Sequence, residues 1–256
     1  MSELFSIQLQ NRQQQGRDGV WLDLPTTTEQ VQAALRQIGI SSDNPQGLFI
    51  SGYFAEEEKR FAIPYNMVLA SNVDELNFLA SRLETLSTGE RAELNAALQA
   101  PQSELFSIGR ITDFPENVDY YVHLPDVHGP AQLGDYYLNR SGMVDMPEEW
   151  KGGIDTAQFG RYVAQQEQGV FTEYGYLVKS GDAWQKVHEG QSVPEEYRVL
   201  SFPAPEVLRD SANIPPPVQP ETEPQKVIPI ILNGKDSVER MKEITDRLET
   251  GIQQLF

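Results

Sequence analysis

The sequence predicts an α+β protein. It is expected to form an elongated chain of small units (a sheet plus a helix, a helical middle unit and an α/β third unit), followed by a linker and a C-terminal helix. Three observations support this fold class. Segments typical of strands, with alternating apolar and polar residues, occur before residue 65 and again after residue 118. Between them, apolar residues recur at helical spacing. A proline-rich stretch then precedes residues 227–256.

The first unit, residues 1–68, is predicted to be a small sheet with one helix packed on it. Residues 4–10 and 20–24 alternate like strands and are separated by a glycine-containing turn. Residues 48–50 and 61–63 are short apolar segments around a polar stretch, and we predict a strand at each. The helix is expected between the second and third of these strands.

That helix has a predicted beginning, one apolar face and a predicted end. Thr26 and Glu29 have the spacing of a capping box, in which a hydroxyl and a carboxylate bind free backbone amides. Gly39 follows the last apolar residue and is the expected stop. The residues on the apolar face are Val31, Ala34, Leu35 and Ile38.

Residues 69–102 are predicted to begin a helical unit. Asn72 has the position of an N-cap, and apolar residues follow it at helical spacing. Ser87 and Glu90 form a second capping-box pattern, which opens a helix that Pro101 ends. We therefore expect two helices in succession.

Residues 103–190 are predicted to contain helical and α/β acidic units. The segment 119–124 is strand-like, and a helix is expected over 130–141. Asp155 stands at the position of an N-cap before a further helix. Residues 169–179 are predicted to be a turn followed by a strand.

The C-terminal part is predicted to be a proline-rich linker region, residues 191–226, followed by a short strand and an amphipathic helix within 227–256. The residues after Asp236 alternate at 3,4 spacing, which is typical of a heptad pattern. The helix could form a coiled coil or pack on the body of the protein, and its short length leaves both alternatives open.

The acidic residues are spread along the chain. The sequence has 38 Asp+Glu and 20 Lys+Arg, with a formal net charge of −18. Residues 101–190 carry 14 acids and six bases, the largest excess of any part, and there is no separate acidic tail. A folded body with a distributed negative field repels nucleic acid and membranes and attracts basic grooves, such as those that hold DNA.

Several function classes lack support in the sequence. Without cysteine there is no disulfide, thiolate metal site or cysteine nucleophile. His123, Asp126 and His128 lie close together, but Pro125 disfavours the helical spacing of a metal site. There is no nucleophile elbow, phosphate-binding glycine loop or basic stripe. No cofactor or metal is expected. With no secretory signal or long apolar run in the sequence, a cytoplasmic location is expected.

Four segments resemble the ArdA antirestriction family. Residues 19–25 (Gly-Val-Trp-Leu-Asp-Leu-Pro) are similar to its opening, and residues 73–80 (Val-Asp-Glu-Leu-Asn-Phe-Leu-Ala) are similar to its next helix. Residues 154–161 and 169–176, which contain Ile-Asp, Gly-Arg and Gly-Tyr pairs, resemble its closing segment. The ordered matches cover residues 4–180, whereas 191–256 lies outside them.

The resemblance implies a function without an enzyme activity. Family members are elongated acidic dimers of three small units that imitate bent duplex DNA and block type I restriction–modification enzymes. The implied partners are DNA-binding proteins, most directly a type I restriction–modification complex, with no direct nucleic acid or membrane binding and with a homodimeric state. Two alternatives remain open. One is an acidic adaptor or inhibitor of another defence or DNA-handling protein, engaged partly through 227–256. The other is a hydrolase that uses clustered carboxylates.

The candidate DNA-mimic residues are acids distributed through the chain. Each could equally be a solvated surface group or a helix cap, and Asp155 has the position of a cap. The candidates are Glu56, Glu57, Glu58, Asp113, Glu116, Asp119, Asp126, Asp135, Asp145, Glu148, Glu149 and Asp155.

Overall fold

The computed structural model describes residues 4–14, 18–41, 45–56 and 60–200. They form an α+β fold with two three-stranded sheets, as the sequence predicts. The linker, strand and helix predicted beyond residue 200 lie outside the described residues. None of the described helices is long and apolar enough to cross a membrane.

The chain divides into two compact units. Among the described residues, the first unit contains residues up to 118 together with 185–200, and the second unit is residues 119–184. The boundaries that the sequence suggests near residues 68 and 102 stay a prediction.

The elements of the first unit are β1 (Phe5–Asn11), β2 (Val20–Leu24), α1 (Thr28–Gln37), β3 (Leu48–Phe54), α2 (Tyr65–Leu69), α3 (Val73–Glu84), α4 (Thr88–Gln99) and α5 (Ile108–Thr112). Those of the second unit are β4 (Tyr121–Leu124), α6 (Pro130–Asp135), α7 (Glu148–Lys151), α8 (Thr156–Glu167), β5 (Val170–Thr172) and β6 (Gly175–Lys179).

The first sheet has the order β2-β1-β3, and both pairs are antiparallel. Alternate residues of β1 are buried, beginning with Phe5, Ile7 and Leu9, which confirms the period-2 pattern. Helix α1 packs against β2 and buries Val31 and Leu35. Its apolar face and its end at Gly39, where φ is +69°, are as predicted.

The predicted beginning of α1 is wrong by one residue. The N-cap is Thr27, whose hydroxyl accepts a hydrogen bond from the Gln30 amide, and Gln30 Oε1 accepts one from the Thr27 amide. Thr26 is buried, and its own amide donates to Asn77 Oδ1 of α3 at 2.7 Å. This tertiary hydrogen bond holds Thr26 before the helix, so the next threonine becomes the cap.

The predicted strand over 61–63 is also wrong. Phe61 and Ile63 are buried, as the alternation suggests. The backbone around them, however, pairs with a side chain instead of a neighbouring strand. The Ala62 amide donates to Asn95 Oδ1 at 2.8 Å, and Asn95 Nδ2 donates to the Arg60 carbonyl at 3.2 Å. The amide group of Asn95 on α4 therefore replaces a strand partner.

Two predicted helices of the first unit begin where expected. Asn72 accepts a hydrogen bond from the Glu75 amide at 2.9 Å and caps α3. Ser87 and Glu90 form a reciprocal capping box at the start of α4. Each cap is completed within three residues, which makes it readable from local sequence.

Helix α3 also holds the segment at 197–200. Asp74 Oδ1 accepts hydrogen bonds from the amides of Val199 and Leu200, each at 2.7 Å. Asn77 Nδ2 donates to the Tyr197 carbonyl at 3.0 Å. These buried polar groups attach the end of the described chain to the first unit.

The second unit combines a sheet of order β4-β6-β5 with helices α6 and α8. The predicted strand 119–124 begins as a short 3-10 turn and becomes β4 at Tyr121. The predicted helix 130–141 is α6 followed by a π-helical turn over Tyr136–Arg140. The predicted turn and strand over 169–179 form the β5–β6 hairpin, in which Gly175 has φ +122°.

Helices α6 and α8 pack closely against each other at two glycines, Gly134 and Gly160. A Cβ on Gly160 would lie 1.8 Å from the Pro130 carbonyl oxygen, and one on Gly134 would lie 1.9 Å from the Thr156 carbonyl oxygen. The backbones are therefore in direct contact at the crossing. The core beside it consists of Val127, Leu133, Tyr137, Val163, Tyr176 and Val178.

Candidate functional site

The candidate site is a set of carboxylates, and the structure distributes them unevenly. Glu56, Asp113 and Glu116 belong to the first unit, whereas Glu57 and Glu58 lie outside the described residues. The other candidates belong to the second unit and are Asp119, Asp126, Asp135, Asp145, Glu148, Glu149 and Asp155. We call these seven the acidic surface.

Asp113 is a buried structural residue. Its side chain is 0% exposed, and its carboxylate accepts hydrogen bonds from the amides of Val187, His188 and Glu189 at 3.2, 2.6 and 3.3 Å. Three amides satisfy this buried charge. A carboxylate without solvent exposure cannot present charge to a partner, so Asp113 is not part of the surface that we propose below.

The two remaining described candidates of the first unit differ in setting. Glu56 is exposed at the end of the β3 segment. Glu116 is partly buried and forms an ion pair with Arg82 of α3. The guanidinium compensates the negative charge of Glu116 locally, which weakens its contribution to the outward field.

The acidic surface is mostly exposed. Asp119, Asp126, Asp145 and Glu149 are exposed, and within the part of the chain that the structure describes they form no ion pair. Glu148 is 83% exposed at its side chain. These side chains face solvent, where an approaching partner can reach them.

Bases compensate two members of the acidic surface. Arg140 Nη2 lies 3.1 Å from Asp135 Oδ2, and Lys151 Nζ lies 2.6 Å from Glu148 Oε1. The second unit as a whole has ten acids and only four bases. Its surface is therefore strongly negative even with these pairs formed.

Asp155 has two roles. Its carboxylate accepts hydrogen bonds from the amides of Ala157 and Gln158 at 2.9 and 3.0 Å, so it caps α8 as predicted. The residue is also exposed. A negative charge at a helix N-terminus is stabilised by the helix dipole.

Two exposed acids of the second unit were not among the predicted candidates. Glu173 lies in the turn between β5 and β6, and Asp182 follows β6, where its carboxylate accepts a hydrogen bond from Ser180. Both stand at turn positions beside alternating strands. That position is the signal from which their exposure could have been predicted.

The buried acid of the second unit supports the scaffold. Glu167 Oε2 accepts a hydrogen bond from the Tyr176 hydroxyl at 2.9 Å, and its Oε1 accepts one from the Tyr137 hydroxyl. Burial raises the pKa of Glu167 above its usual value. Burial and the neighbouring Glu167 carboxylate also raise the pKa of both tyrosines. This group ties α8 to β6 and to the turn after α6.

The histidines of this unit do not form a metal-binding group. His123 Nε2 lies 2.7 Å from the Tyr174 carbonyl oxygen, and burial lowers the pKa of this imidazole. His128 is exposed. Across the described ranges, no three His, Asp or Glu side chains are arranged to hold a metal ion.

The segments that carry the family resemblance contain residues with structural roles. Asp74 and Asn77 of residues 73–80 are buried and bind backbone groups. Gly160 of residues 154–161 permits the helix crossing. Gly175 of residues 169–176 permits the hairpin turn. These residues define the scaffold, and six of the seven carboxylates of the acidic surface lie outside them.

Comparison with known proteins agrees with the resemblance in the sequence. A family model described as "Antirestriction protein (ArdA)" matches residues 15–178. The match covers more than half of the chain and includes the whole acidic surface. The comparison with curated proteins finds no match.

Proposed function

The chain belongs to the ArdA antirestriction protein family, and from this premise we propose that it is an acidic mimic of duplex DNA. It occupies the DNA-binding groove of a type I restriction–modification enzyme and blocks the enzyme. This is inhibition by occupancy, so the protein needs no catalytic residue, metal or cofactor of its own.

The observation that supports this proposal is the excess of exposed negative charge in the second unit. Ten acids and four bases lie within 119–184, and only one of the acids, Glu167, is buried. Duplex DNA carries one phosphate charge for about every 1.7 Å of its axis. A groove that binds such a polymer is lined with Lys and Arg, which also attract exposed carboxylates.

The scaffold supports the mimicry because it orders the unit that carries the carboxylates. The glycine contact between α6 and α8 and the hydrogen bonds of Glu167 order the unit on which the acidic surface lies. A backbone that is ordered before binding loses less conformational entropy when a partner docks. A disordered acidic tail would lack this advantage.

We further propose that the protein is cytoplasmic and homodimeric, as the family resemblance implies. Its partners are DNA-binding proteins, most directly the type I restriction–modification complex. The same negative field disfavours direct binding to nucleic acid and to anionic membranes.

The test is to neutralise part of the acidic surface in a folded protein. A variant with Asp119→Asn, Asp126→Asn, Asp145→Asn, Glu148→Gln and Glu149→Gln removes five exposed charges without touching the Asp155 cap. We expect inhibition of DNA cleavage by a purified type I enzyme to weaken at least about tenfold, because steering and contact both depend on these charges. Circular dichroism checks that the variant is folded.

A charge-matched control separates location from net charge. Asp18→Asn, Asp23→Asn, Glu29→Gln, Glu195→Gln and Glu196→Gln remove five charges from exposed residues of the first unit. This control should inhibit nearly as well as the wild type. Unchanged inhibition by the first variant would contradict the mimicry, and equal losses in both variants would show that only net charge matters.

A truncated chain tests the adaptor alternative. Residues 227–256 lie outside the part of the chain that the structure describes, and a protein ending at about residue 212 lacks them. Full inhibition by the truncated protein supports the mimicry. Loss of partner binding with a retained fold supports an inhibitor that engages another protein through its C-terminal segment.

A further inference from the structure

Helix α7 exposes a tryptophan at the acidic surface. Trp150 is 68% exposed, the largest exposed fraction among the large hydrophobic residues of the described chain. Its amide donates to the Pro147 carbonyl at 2.9 Å, and its carbonyl accepts from the Gly153 amide at 3.0 Å. The backbone of this residue is therefore held in a turn while its indole ring faces solvent.

No aromatic ring or cation of the described residues lies against the Trp150 indole. An exposed indole is unfavourable in water, because burying apolar surface lowers the free energy. Tryptophan is also one of the residues that contribute most binding energy at the centres of protein interfaces. Both properties favour a partner that covers the ring.

The charges around Trp150 indicate the chemistry of that partner. Glu148 and Glu149 precede it on α7, both exposed, and Asp145 precedes the helix. Lys151, the base beside it, is engaged with Glu148 and only 16% exposed at its side chain. An acidic or apolar partner would leave these carboxylates desolvated without compensation, whereas a basic partner pairs with them.

We propose that Trp150 is an anchor that docks against an arginine-bearing basic surface of the partner, where a guanidinium stacks on the indole and neighbouring bases pair with Glu148 and Glu149. This inference rests on the proposed function, since the DNA groove of a restriction–modification enzyme supplies such a surface. Tryptophan is the best aromatic partner for a cation, and the planar guanidinium both stacks and binds carboxylates.

The test compares Trp150→Ala with the wild type in the inhibition of a purified type I restriction–modification complex. Because the ring is exposed, its removal leaves the fold intact. We expect roughly 30-fold weaker inhibition, the effect of truncating an interface residue of this kind. Trp150→Phe, which keeps a weaker aromatic face, should lie between the two.

Trp21→Ala is the matched control. Trp21 is 49% exposed on β2, and the acid nearest to it in sequence, Asp23, accepts a hydrogen bond from Ser6 at 2.6 Å. This substitution should leave inhibition unchanged. A salt series adds a second readout: Trp150→Ala should keep the wild-type dependence of inhibition on salt, whereas Glu149→Gln should reduce it.

The outcomes separate the two proposals. If the wild type inhibits and Trp150→Ala inhibits equally well, the anchor is overturned and the mimicry stands. If Trp150→Ala and Trp21→Ala lose inhibition to the same degree, the effect is general loss of apolar surface and the anchor is again overturned. A wild-type protein that does not inhibit the enzyme overturns both proposals.

Discussion

The Asp113 carboxylate accepts a hydrogen bond from the backbone amide of His188 at 2.6 Å, across 75 residues of sequence. The same carboxylate binds the amides of the two adjacent residues. Asn117, four residues further on, binds both backbone groups of Gln185. Residues 185–189 are thus bound within the first unit by Asn117 and by Asp113, an acid that the sequence suggests as a surface candidate.

Asp113→Ala should destabilise the first unit by about 3 kcal/mol or more, because three partly buried amides lose their acceptor. Asp113→Asn should also destabilise it. Both carboxylate oxygens accept hydrogen bonds, and asparagine puts an NH2 group, which cannot accept one from an amide, in the place of one oxygen. Urea unfolding measures the difference. The exposed Asp119→Ala is the control and should change stability by less than about 0.5 kcal/mol.

Gly160→Ala should destabilise the second unit by about 2 kcal/mol or more, because the new methyl group overlaps the Pro130 carbonyl oxygen of α6. Gly89→Ala is the matched control: Gly89 lies within α4, and a Cβ there meets nothing within 4 Å. That substitution should stabilise the protein by about 0.5–1 kcal/mol. Thermal unfolding measures both effects. A shift of the unfolding temperature in the same direction for the two variants would contradict the close contact between α6 and α8.

The contribution of Glu167 to the stability of the second unit should be largest at low pH. Its folded pKa is raised above the ordinary value of 4.5. The contribution to stability is therefore fully present below about pH 4.5 and is lost as pH rises through the folded pKa. Glu167→Gln removes this ionisation and keeps a polar group between the two tyrosines. We expect its stability relative to the wild type to increase with pH.

Urea unfolding of the wild type and Glu167→Gln at several pH values measures that trend, and Glu149→Gln, at an exposed site, is the control. A difference between Glu167→Gln and the wild type that stays constant with pH would contradict the assignment. Glu167→Ala should be less stable than both at every pH, because it leaves the Tyr137 and Tyr176 hydroxyls without this acceptor.

Inhibition should weaken as salt rises, because the proposed contact depends on exposed charge. The Debye length falls from roughly 30 Å at 0.01 M salt to roughly 8 Å at 0.15 M. We expect the association rate with the type I enzyme to decrease steeply over this range and the dissociation rate to change less. The variant with five neutralised surface acids should show a flatter dependence. Equal salt dependence in that variant and the wild type would argue against electrostatic steering by this surface.

Local sequence was sufficient for three of the helix caps and for the first sheet. The caps at Asn72, Ser87 and Asp155 bind amides two or three residues ahead, so their side chains and spacing predict them. The strands of the first sheet follow from alternation, because one face of the sheet is buried. Composition alone identified the acidic excess of residues 101–190.

Predictions were wrong where a distant group determines the local structure. The cap of α1 moved from Thr26 to Thr27 because Asn77, 51 residues away, binds the Thr26 amide. The segment at 61–63 is buried but pairs with the side chain of Asn95 and not with a strand. Alternating apolar residues predict burial, but they do not predict which group forms hydrogen bonds with the backbone.

The sequence by itself determined the α+β class, the beginnings of α3, α4 and α8, the family and the distributed negative charge, because these depend on composition and on contacts a few residues apart. Only the tertiary structure decided which carboxylates face solvent. Asp113 and Glu167 are buried with hydrogen-bond donors, whereas Asp145 and Glu149 remain exposed. The physical reason is that a buried carboxylate requires partners that folding brings from distant parts of the chain.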